Sequence, residues 1–145
     1  MSDDVILVDT NIIVYAYDTF DKEKHDKCKQ IVESAFKGEK RLAVSNQILA
    51  ELFFVLTRKL RRPIPIEEAE TIASGIADSA NWIKVNYSHE TVKHAIALSK
   101  ANSISIWDSL IASTALDNEI TKIYTENVKD FTGIAKLNII NPMKE

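Results

Sequence analysis

Short aliphatic runs alternate with longer amphipathic segments along this chain. The first run, Val5-Ile6-Leu7-Val8, is entirely aliphatic and mostly β-branched, which is typical of a strand buried on both faces of a parallel sheet. Shorter apolar or alternating stretches predict four further strands, at residues 42–44, 82–87, 122–125 and 137–140. We expect the last of these strands to lie at the edge of the sheet.

The segments between these runs carry apolar residues at helical spacing. They predict a short helix opening near Ile12, a longer helix within residues 21–40 whose pattern Gly38 stops, and helices over 47–56, 66–80, 90–101 and 106–116. In the helix over 90–101, we expect Val92, Ala95, Ile96 and Leu98 to face inward. Strands that alternate with helices predict an α/β domain with a largely parallel sheet.

Length and composition fit one globular domain. The 145 residues are 46% hydrophobic and 27% charged, so we expect residues 1–145 to form a single domain with a real core. No apolar run is long enough to cross a bilayer, and Met1-Ser2-Asp3-Asp4 is acidic where a signal peptide would be basic. The single Cys28 cannot form an internal disulfide and lacks the partners of a zinc site. These features predict a cytoplasmic protein without a membrane partner.

The charge pattern restricts the possible nucleic-acid partners. A net charge of −3 argues against a protein that coats nucleic acid non-specifically, although carboxylates that bind a metal leave a nuclease possible. The basic run Arg58-Lys59-Leu60-Arg61-Arg62 has two interpretations. Cations favour a helix C-terminus and are commonly just solvated, which we prefer here, but the run could also attract a phosphate backbone.

Three acids stand where a solvated acid is not expected. Asp9 follows the first strand, at the sheet edge where α/β proteins bind ligands, although Asp9 or Asn11 could simply cap the next helix. Glu51 shares a helix face with large apolar residues. Asp108 does the same, but it also stands at capping-box spacing from Ser105, so a structural role is equally plausible for it.

Buried carboxylates need a partner. An ionised carboxylate is costly to bury alone, and two of them about 4 Å apart repel by roughly 4 kcal/mol at an effective dielectric of 20. A divalent cation would resolve this conflict if the three acids met in space. Spacing along the chain does not establish that they meet.

Four motifs in order resemble those of one known family, and they span nearly the whole chain. They are Val8-Asp9-Thr10-Asn11, Leu49-Ala50-Glu51, Trp107-Asp108-Ser109-Leu110-Ile111-Ala112 and Tyr124-Thr125-Glu126-Asn127-Val128-Lys129-Asp130-Phe131. In these motifs the chain resembles PIN-domain proteins, and more narrowly the VapC-type ribonuclease toxins of VapBC toxin–antitoxin pairs. The resemblance implies a three-layer α/β/α sandwich, metal-dependent endoribonuclease activity on RNA, homodimerisation and inhibition by a cognate antitoxin.

The resemblance also implies roles for individual residues. Asp9, Glu51 and Asp108 would be catalytic, metal-binding acids, and Thr10, Asn11, Thr125 and Asn127 would support them. Two candidates remain for a fourth acid, Asp130 and Glu126. We favour Asp130, because Asn127 to Phe131 resembles the family's run of Asn, two variable residues, Asp and Phe, in which Phe131 would pack inward.

The ligand types and the rival functions complete the prediction. Oxygen donors without His or Cys favour Mg²⁺, with Mn²⁺ as a substitute, and such ions can activate water against a phosphodiester. A haloacid-type phosphatase would require a second acid where Asn11 stands, and a dinucleotide fold would require a Gly-rich loop. A PIN-type nuclease of RNA processing, or a PIN-like scaffold that binds RNA or protein without cutting, remain alternatives. An antitoxin helix could cover Phe53 and Phe54, unless both belong to the core.

Overall fold

A parallel five-stranded sheet forms the centre of the molecule. The computed structural model describes residues 5–144, so the acidic residues 1–4 and residue 145 lie outside the described part. The strands are β1 (Ile6–Val8), β2 (Leu42–Ser45), β3 (Ile83–Val85), β4 (Lys122–Tyr124) and β5 (Asn138–Ile140). Their order is β3-β2-β1-β4-β5, and each neighbouring pair is parallel. The predicted first strand is therefore central, and the predicted last strand lies at an edge.

Helices follow the strands along the chain and cover the sheet. They are α1 (Thr10–Tyr17), α2 (Lys22–Phe36), α3 (Asn46–Arg58), α4 (Ile66–Asp78), α5 (His89–Asn102) and α6 (Ile106–Asp117). Helix α1 packs against α2 and α3, and α5 packs against α6. The predicted three-layer α/β/α sandwich is confirmed. Among the described residues, no helix is both long and apolar enough to cross a membrane.

The first long helix ends before Gly38 as predicted, whereas the strand predicted over 82–87 is shorter in the structure. Helix α2 ends at Phe36 because Gly38 has a φ of 76°, a left-handed conformation that Gly adopts without a steric penalty. Strand β3 begins at Ile83, after Trp82, which is buried and packs edge-on against Phe36 at a ring-centroid distance of 6.0 Å. Packing in the core therefore replaces strand pairing at Trp82.

One expectation about a buried face is wrong, and the open alternative for Phe53 and Phe54 is decided. Ile96 is 55% exposed, because the inward stripe of α5 is narrower than the sequence predicts and is centred on the buried Thr91 and Ala95. Phe53 and Phe54 are 36% and 51% exposed, so neither belongs to the core. Helix α3 buries Ile48, Leu52 and Leu56 instead, which share another face of the helix.

The register of the central strands brings two site residues together. Val8 of β1 pairs with Tyr124 of β4, so the residues that follow them, Asp9 and Thr125, are neighbours at the carboxyl edge of the sheet. The backbone N–H of Asp9 donates to the carbonyl of Tyr124 at 2.9 Å. The core beneath this edge is aliphatic and includes Leu7 and Val8, which are completely buried. Asp9 therefore stands on a rigid support.

Candidate active site

Asp9 is both a helix cap and a member of the candidate site. It is the N-cap of α1, and its Oδ1 accepts a hydrogen bond from the backbone N–H of Thr10 at 2.8 Å. Its Oδ2 accepts from the Thr125 hydroxyl at 2.8 Å and from the Asn11 amide at 3.4 Å. Only donors converge on this carboxyl group, so the network is complementary to its ionised form.

The surroundings of Asp9 oppose that ionised form. Asp9 is only 6% exposed, and burial raises its pKa from 3.8 to about 6. The hydrogen bonds from Thr125 and Thr10 lower the pKa, while the nearby charges of Asp108 and Glu51 raise it further. Asp9 is thus held as an acceptor of hydrogen bonds in a place that is unfavourable for its negative charge. A cation in front of it would relieve the conflict.

Glu51 reaches the same site from α3. This helix begins directly after β2, where the buried Ser45 hydroxyl caps it by accepting from the N–H of Ile48 at 3.2 Å. The Thr10 hydroxyl donates to Oε1 of Glu51 at 3.1 Å, and Gln47 donates to Oε2 at 3.4 Å. Thr10, the first residue of α1, therefore links the start of that helix to the acid on α3.

Asp108 lies in the first turn of α6. Its backbone N–H donates to the Ser105 hydroxyl at 3.1 Å, so Ser105 caps the helix. Burial raises the pKa of Asp108, the hydrogen bond with Ser105 lowers it, and the charge of Asp130 raises it. The 3₁₀ turn Val128–Phe131, which carries Asp130, packs against α6, although the side chain of Asp130 is exposed and is not part of the pocket lining.

The three acids line one pocket of about 520 Å³, together with Thr10, Asn11 and Asn127. The lining includes no His or Cys, and such a set of oxygen donors suits Mg²⁺ or Mn²⁺. Within residues 5–144, however, no three acidic, His or Cys side chains are close enough to form a ready-made metal site. Mg²⁺ usually retains several waters and contacts only one or two carboxylates directly, so an open set of acids is compatible with it.

Glu126 faces a different partner from the other acids. It forms an ion pair with Lys24 and accepts a hydrogen bond from the Tyr15 hydroxyl at 2.6 Å. Burial acts to raise the pKa of Glu126, but the hydrogen bonds from Lys24 and Tyr15 hold that pKa below its ordinary value. Its side chain is therefore committed to α1 and α2, whereas Asp130 stands near Asp108.

Two further networks support the site. The backbone N–H of Glu126 donates to Oδ1 of Asn11 at 3.0 Å, and the N–H of Asn127 donates to the Thr125 hydroxyl at 3.1 Å. The turn after β4 thereby fixes the residues that contact Asp9. Gln47 bridges Glu51 and the carbonyl of Trp107, the latter at 3.1 Å, which ties α3 to the start of α6.

Sequence reasoning missed Gln47, Tyr15 and Lys24. Lys24 and Glu126 are 102 positions apart, and a Lys on the exposed side of an amphipathic helix carries no signal of such a partner. Gln47 stands four residues before Glu51, on the same side of α3. That spacing is the only sequence signal that could have pointed to it.

Comparison with solved structures finds the same fold in several bacterial proteins. VapC20 from Mycobacterium tuberculosis, described as a sarcin-ricin loop cleaving toxin, superposes with a TM-score of 0.68 and 19% identity over 92% of this chain and 98% of that one. VapBC2 from Rickettsia felis, solved with a promoter DNA fragment, gives 0.66 and 21% over 94% and 97%. A toxin–antitoxin complex from Klebsiella pneumoniae gives 0.64 and 20% over 94% and 97%.

Comparison of the sequence itself gives the family. No curated protein sequence matches the chain significantly. The profile of the PIN domain matches residues 6–137, which include all of the predicted site residues and every strand except the last. From this match, and from a fold that agrees with it, we conclude that the chain belongs to the PIN domain family.

Proposed function

We propose that this protein is a Mg²⁺-dependent endoribonuclease and the toxin of a type II toxin–antitoxin pair. The observation that carries the proposal is that Asp9, Glu51 and Asp108 come from three separate elements and line one pocket at the carboxyl edge of a PIN-domain sheet. Folding brings these carboxylates together although the charges of Asp108 and Glu51 raise the pKa of Asp9. An arrangement of this kind is typical of functional sites.

In this proposal the acids hold the metal, with Mn²⁺ able to replace Mg²⁺. Asp9, Glu51 and Asp108 bind the cation directly or through its waters, and Asp130 acts from the rim beside Asp108. When bound, Mg²⁺ supplies the charge that activates a water and stabilises the leaving oxygen of a phosphodiester. The protein contributes the orientation of the ligands.

Each supporting residue has a defined task in this arrangement. Thr125 and Asn11 donate to Oδ2 of Asp9 and so keep its carboxylate ionised and correctly turned. Thr10 donates to Oε1 of Glu51 through its hydroxyl and so orients that carboxylate. Asn127 lines the same pocket next to Thr125, and its side chain would contact a bound water or the RNA backbone.

The toxin role is inferred from the structural neighbours. One of them is described as a toxin that cleaves the sarcin-ricin loop and two as toxin–antitoxin assemblies, which supports RNA as the substrate and a small antitoxin as the partner. We propose that the protein acts in the cytoplasm as a homodimer. Its antitoxin would block the acid pocket by bringing a cation toward the carboxylates.

Cleavage of labelled RNA over a Mg²⁺ titration tests the activity. We expect Asp9→Asn, Glu51→Gln and Asp108→Asn to remove cleavage while the protein stays folded. Glu67→Gln is the matched control, because Glu67 is also an acid in the first turn of a helix but lies on α4, away from the pocket. Full cleavage by the Asp9→Asn protein at saturating Mg²⁺ would contradict the assignment. Hydrolysis of a phosphomonoester instead of RNA would indicate a phosphatase.

Expression together with the neighbouring reading frame tests the toxin role. A small protein encoded directly upstream should co-purify with this chain and suppress RNA cleavage. If cleavage occurs but no such protein is encoded or bound, the chain is a PIN-type nuclease of RNA processing. If a partner binds but no RNA is cut under any metal, it is a non-catalytic PIN scaffold.

A further inference from the structure

We infer that a surface beside the acid pocket, here called the basic–aromatic strip, binds unpaired RNA and guides it to the carboxylates. The strip consists of Phe20, Phe54, Arg58, Lys59, Arg61 and Arg62. The inference rests on the proposed function only for the identity of the nucleic acid. Binding to the strip is separate from cleavage and is measurable without it.

The cations of the strip have no acidic partners in the described part of the chain. Within residues 5–144, no carboxylate lies in ion-pair distance of Arg58, Lys59, Arg61 or Arg62. On α2, by contrast, Lys22 pairs with Asp26 at 3.0 Å. Helix α3 ends at Arg58, so attraction to the helix terminus does not explain Arg61 and Arg62. Four cations within five residues suit a polyanion, although Asp18, outside ion-pair distance of them, lines the same depression as Arg61 and Arg62.

Two of these cations are stacked near exposed aromatic rings. The guanidinium carbon of Arg61 lies 4.5 Å from the centre of the Phe20 ring, and Nζ of Lys59 lies 5.6 Å from that of Phe54. Phe20 is 68% exposed and Phe54 is 51% exposed, so much of each ring is open to solvent. An exposed ring beside a cation is the combination on which single-stranded nucleic acids bind, with a base on the ring and a phosphate at the cation.

The strip is continuous with the acid pocket. Phe54, Lys59 and Leu60 line the pocket that also contains Asp9. Leu60 also borders the next depression, whose lining includes Phe20, Arg61 and Arg62. The loop that carries Phe20 is held by Asp18, whose Oδ1 accepts from the backbone N–H of Phe20 at 3.3 Å. An RNA chain lying along this surface would therefore run directly to the carboxylates.

The chemistry of the strip favours unpaired RNA over a duplex or a protein helix. Bases in a duplex are already stacked on each other and cannot lie on Phe20 or Phe54. A partner helix is recognised by an apolar groove that accepts several hydrophobic side chains in a row. Here each exposed ring has a cation at its side, so charge complementarity selects a polyanion with free aromatic bases.

Fluorescence anisotropy with labelled RNA in EDTA tests the inference, since cleavage is then absent. The probe is an unpaired oligouridine of about 12 nucleotides, within the site sizes of single-strand binders. Phe54→Ala and Phe20→Ala should each weaken binding about 5- to 150-fold, the range expected for one stacked base. Ile96→Ala is the matched control, because Ile96 is a similarly exposed apolar residue on α5.

A salt titration tests the cations. The double variant Arg61→Gln, Arg62→Gln should lower the slope of log K against log salt by about 0.7 for each phosphate that the variant no longer neutralises. Lys100→Gln is the control, because Lys100 is exposed in the last turn of α5, as Arg58 is in the last turn of α3. An unchanged slope in the double variant would overturn the inference.

Two further outcomes separate this inference from its rivals and from the proposed function. If Phe54→Ala lowers the affinity for oligouridine and for an RNA duplex by the same factor, base stacking on Phe54 is contradicted. If the strip variants no longer co-purify with an antitoxin but bind RNA as the wild type does, the strip is a protein-binding surface and the inference is overturned. Tight, strip-dependent binding by a protein that cleaves no RNA would support the strip and refute the nuclease.

Discussion

The conflict at Asp9 predicts how the stability of the metal-free protein depends on pH. Burial raises the pKa of Asp9 to about 6, against 3.8 for an exposed Asp. The folded protein therefore binds a proton more tightly than the unfolded chain does. Between pH 3.8 and about 6, Asp9 should make the folded state less stable as the pH rises, and most of this loss should be complete near neutrality.

The size of the effect follows from the pKa values. One pKa unit corresponds to about 1.4 kcal/mol, so the ionised carboxylate of Asp9 should lower the free energy of unfolding by about 3 kcal/mol at neutral pH. The comparison protein is the Asp9→Asn variant, which does not titrate. The difference in unfolding free energy between the two proteins should change by about 3 kcal/mol over this pH range, with the wild type losing stability.

The absolute stability of the Asp9→Asn variant depends on the donors around position 9. An Asn amide would place its NH₂ group against either the Thr10 N–H or the Thr125 hydroxyl, both of which are donors. The Thr125 hydroxyl has little freedom to turn away, since its oxygen already accepts from Asn11 and Asn127. This conflict costs about 1–3 kcal/mol. At neutral pH the variant should therefore be as stable as the wild type or up to about 2 kcal/mol more stable.

Urea denaturation in EDTA at several pH values between about 4 and 7 measures both quantities. A difference between the two proteins that stays constant with pH would refute the reasoning, because it would mean that Asp9 has an ordinary pKa in the folded state. Adding Mg²⁺ near neutral pH should raise the stability of the wild type and have little effect on the Asp9→Asn protein. Equal stabilisation of both would show that Asp9 does not bind the metal.

Two further predictions concern the fourth acid and the support of α3. In a Mg²⁺ titration of RNA cleavage, Asp130→Asn should raise the Mg²⁺ requirement about tenfold. Glu126→Gln should raise the Mg²⁺ requirement less than Asp130→Asn does. A larger increase in the Glu126 variant would overturn this order. Leu52→Ala, in a completely buried position on α3, should lower the free energy of unfolding by about 2–5 kcal/mol in urea, while Ile66→Ala, at an exposed position on α4, should change it little.

The sequence was sufficient for the fold because each element carries its own signal. Val5 to Val8 is too uniformly apolar for anything other than a buried strand, and the order of strands and helices leaves a parallel sheet as the simplest arrangement. The ends of elements were less predictable. The stop of α2 before Gly38 was predicted, but the indole of Trp82 packs in the core just before β3 begins, where the alternating pattern predicted a strand.

Exposure was harder to predict than secondary structure. The periodicity of α3 shows that Ile48, Leu52 and Leu56 share a face, but not that Phe53 and Phe54 stay uncovered. What covers a helix face depends on elements distant in sequence. The contact of Lys59 with Phe54 is a local one that sequence alone could have suggested, whereas Arg61 reaches Phe20 across about forty residues. The basic run alone therefore does not indicate that one of its cations lies over an exposed aromatic ring.

The choice between Asp130 and Glu126 shows where the sequence argument reached its limit. The prediction that Phe131 packs inward is confirmed, since its side chain is completely buried at the end of the short 3₁₀ turn Val128–Phe131. Successive residues of such a turn point about 120° apart, so anchoring Phe131 directs Asp130 away from the core and toward α6, where its charge acts on Asp108. An exposed acid in that position suits contact with a metal through water better than direct ligation.

Because Lys24 and Tyr15 already engage Glu126, moving that acid into the pocket would require breaking an ion pair and a hydrogen bond. Among the described residues, no ion pair or hydrogen bond holds the side chain of Asp130, and this is the physical reason to expect the larger metal effect from it.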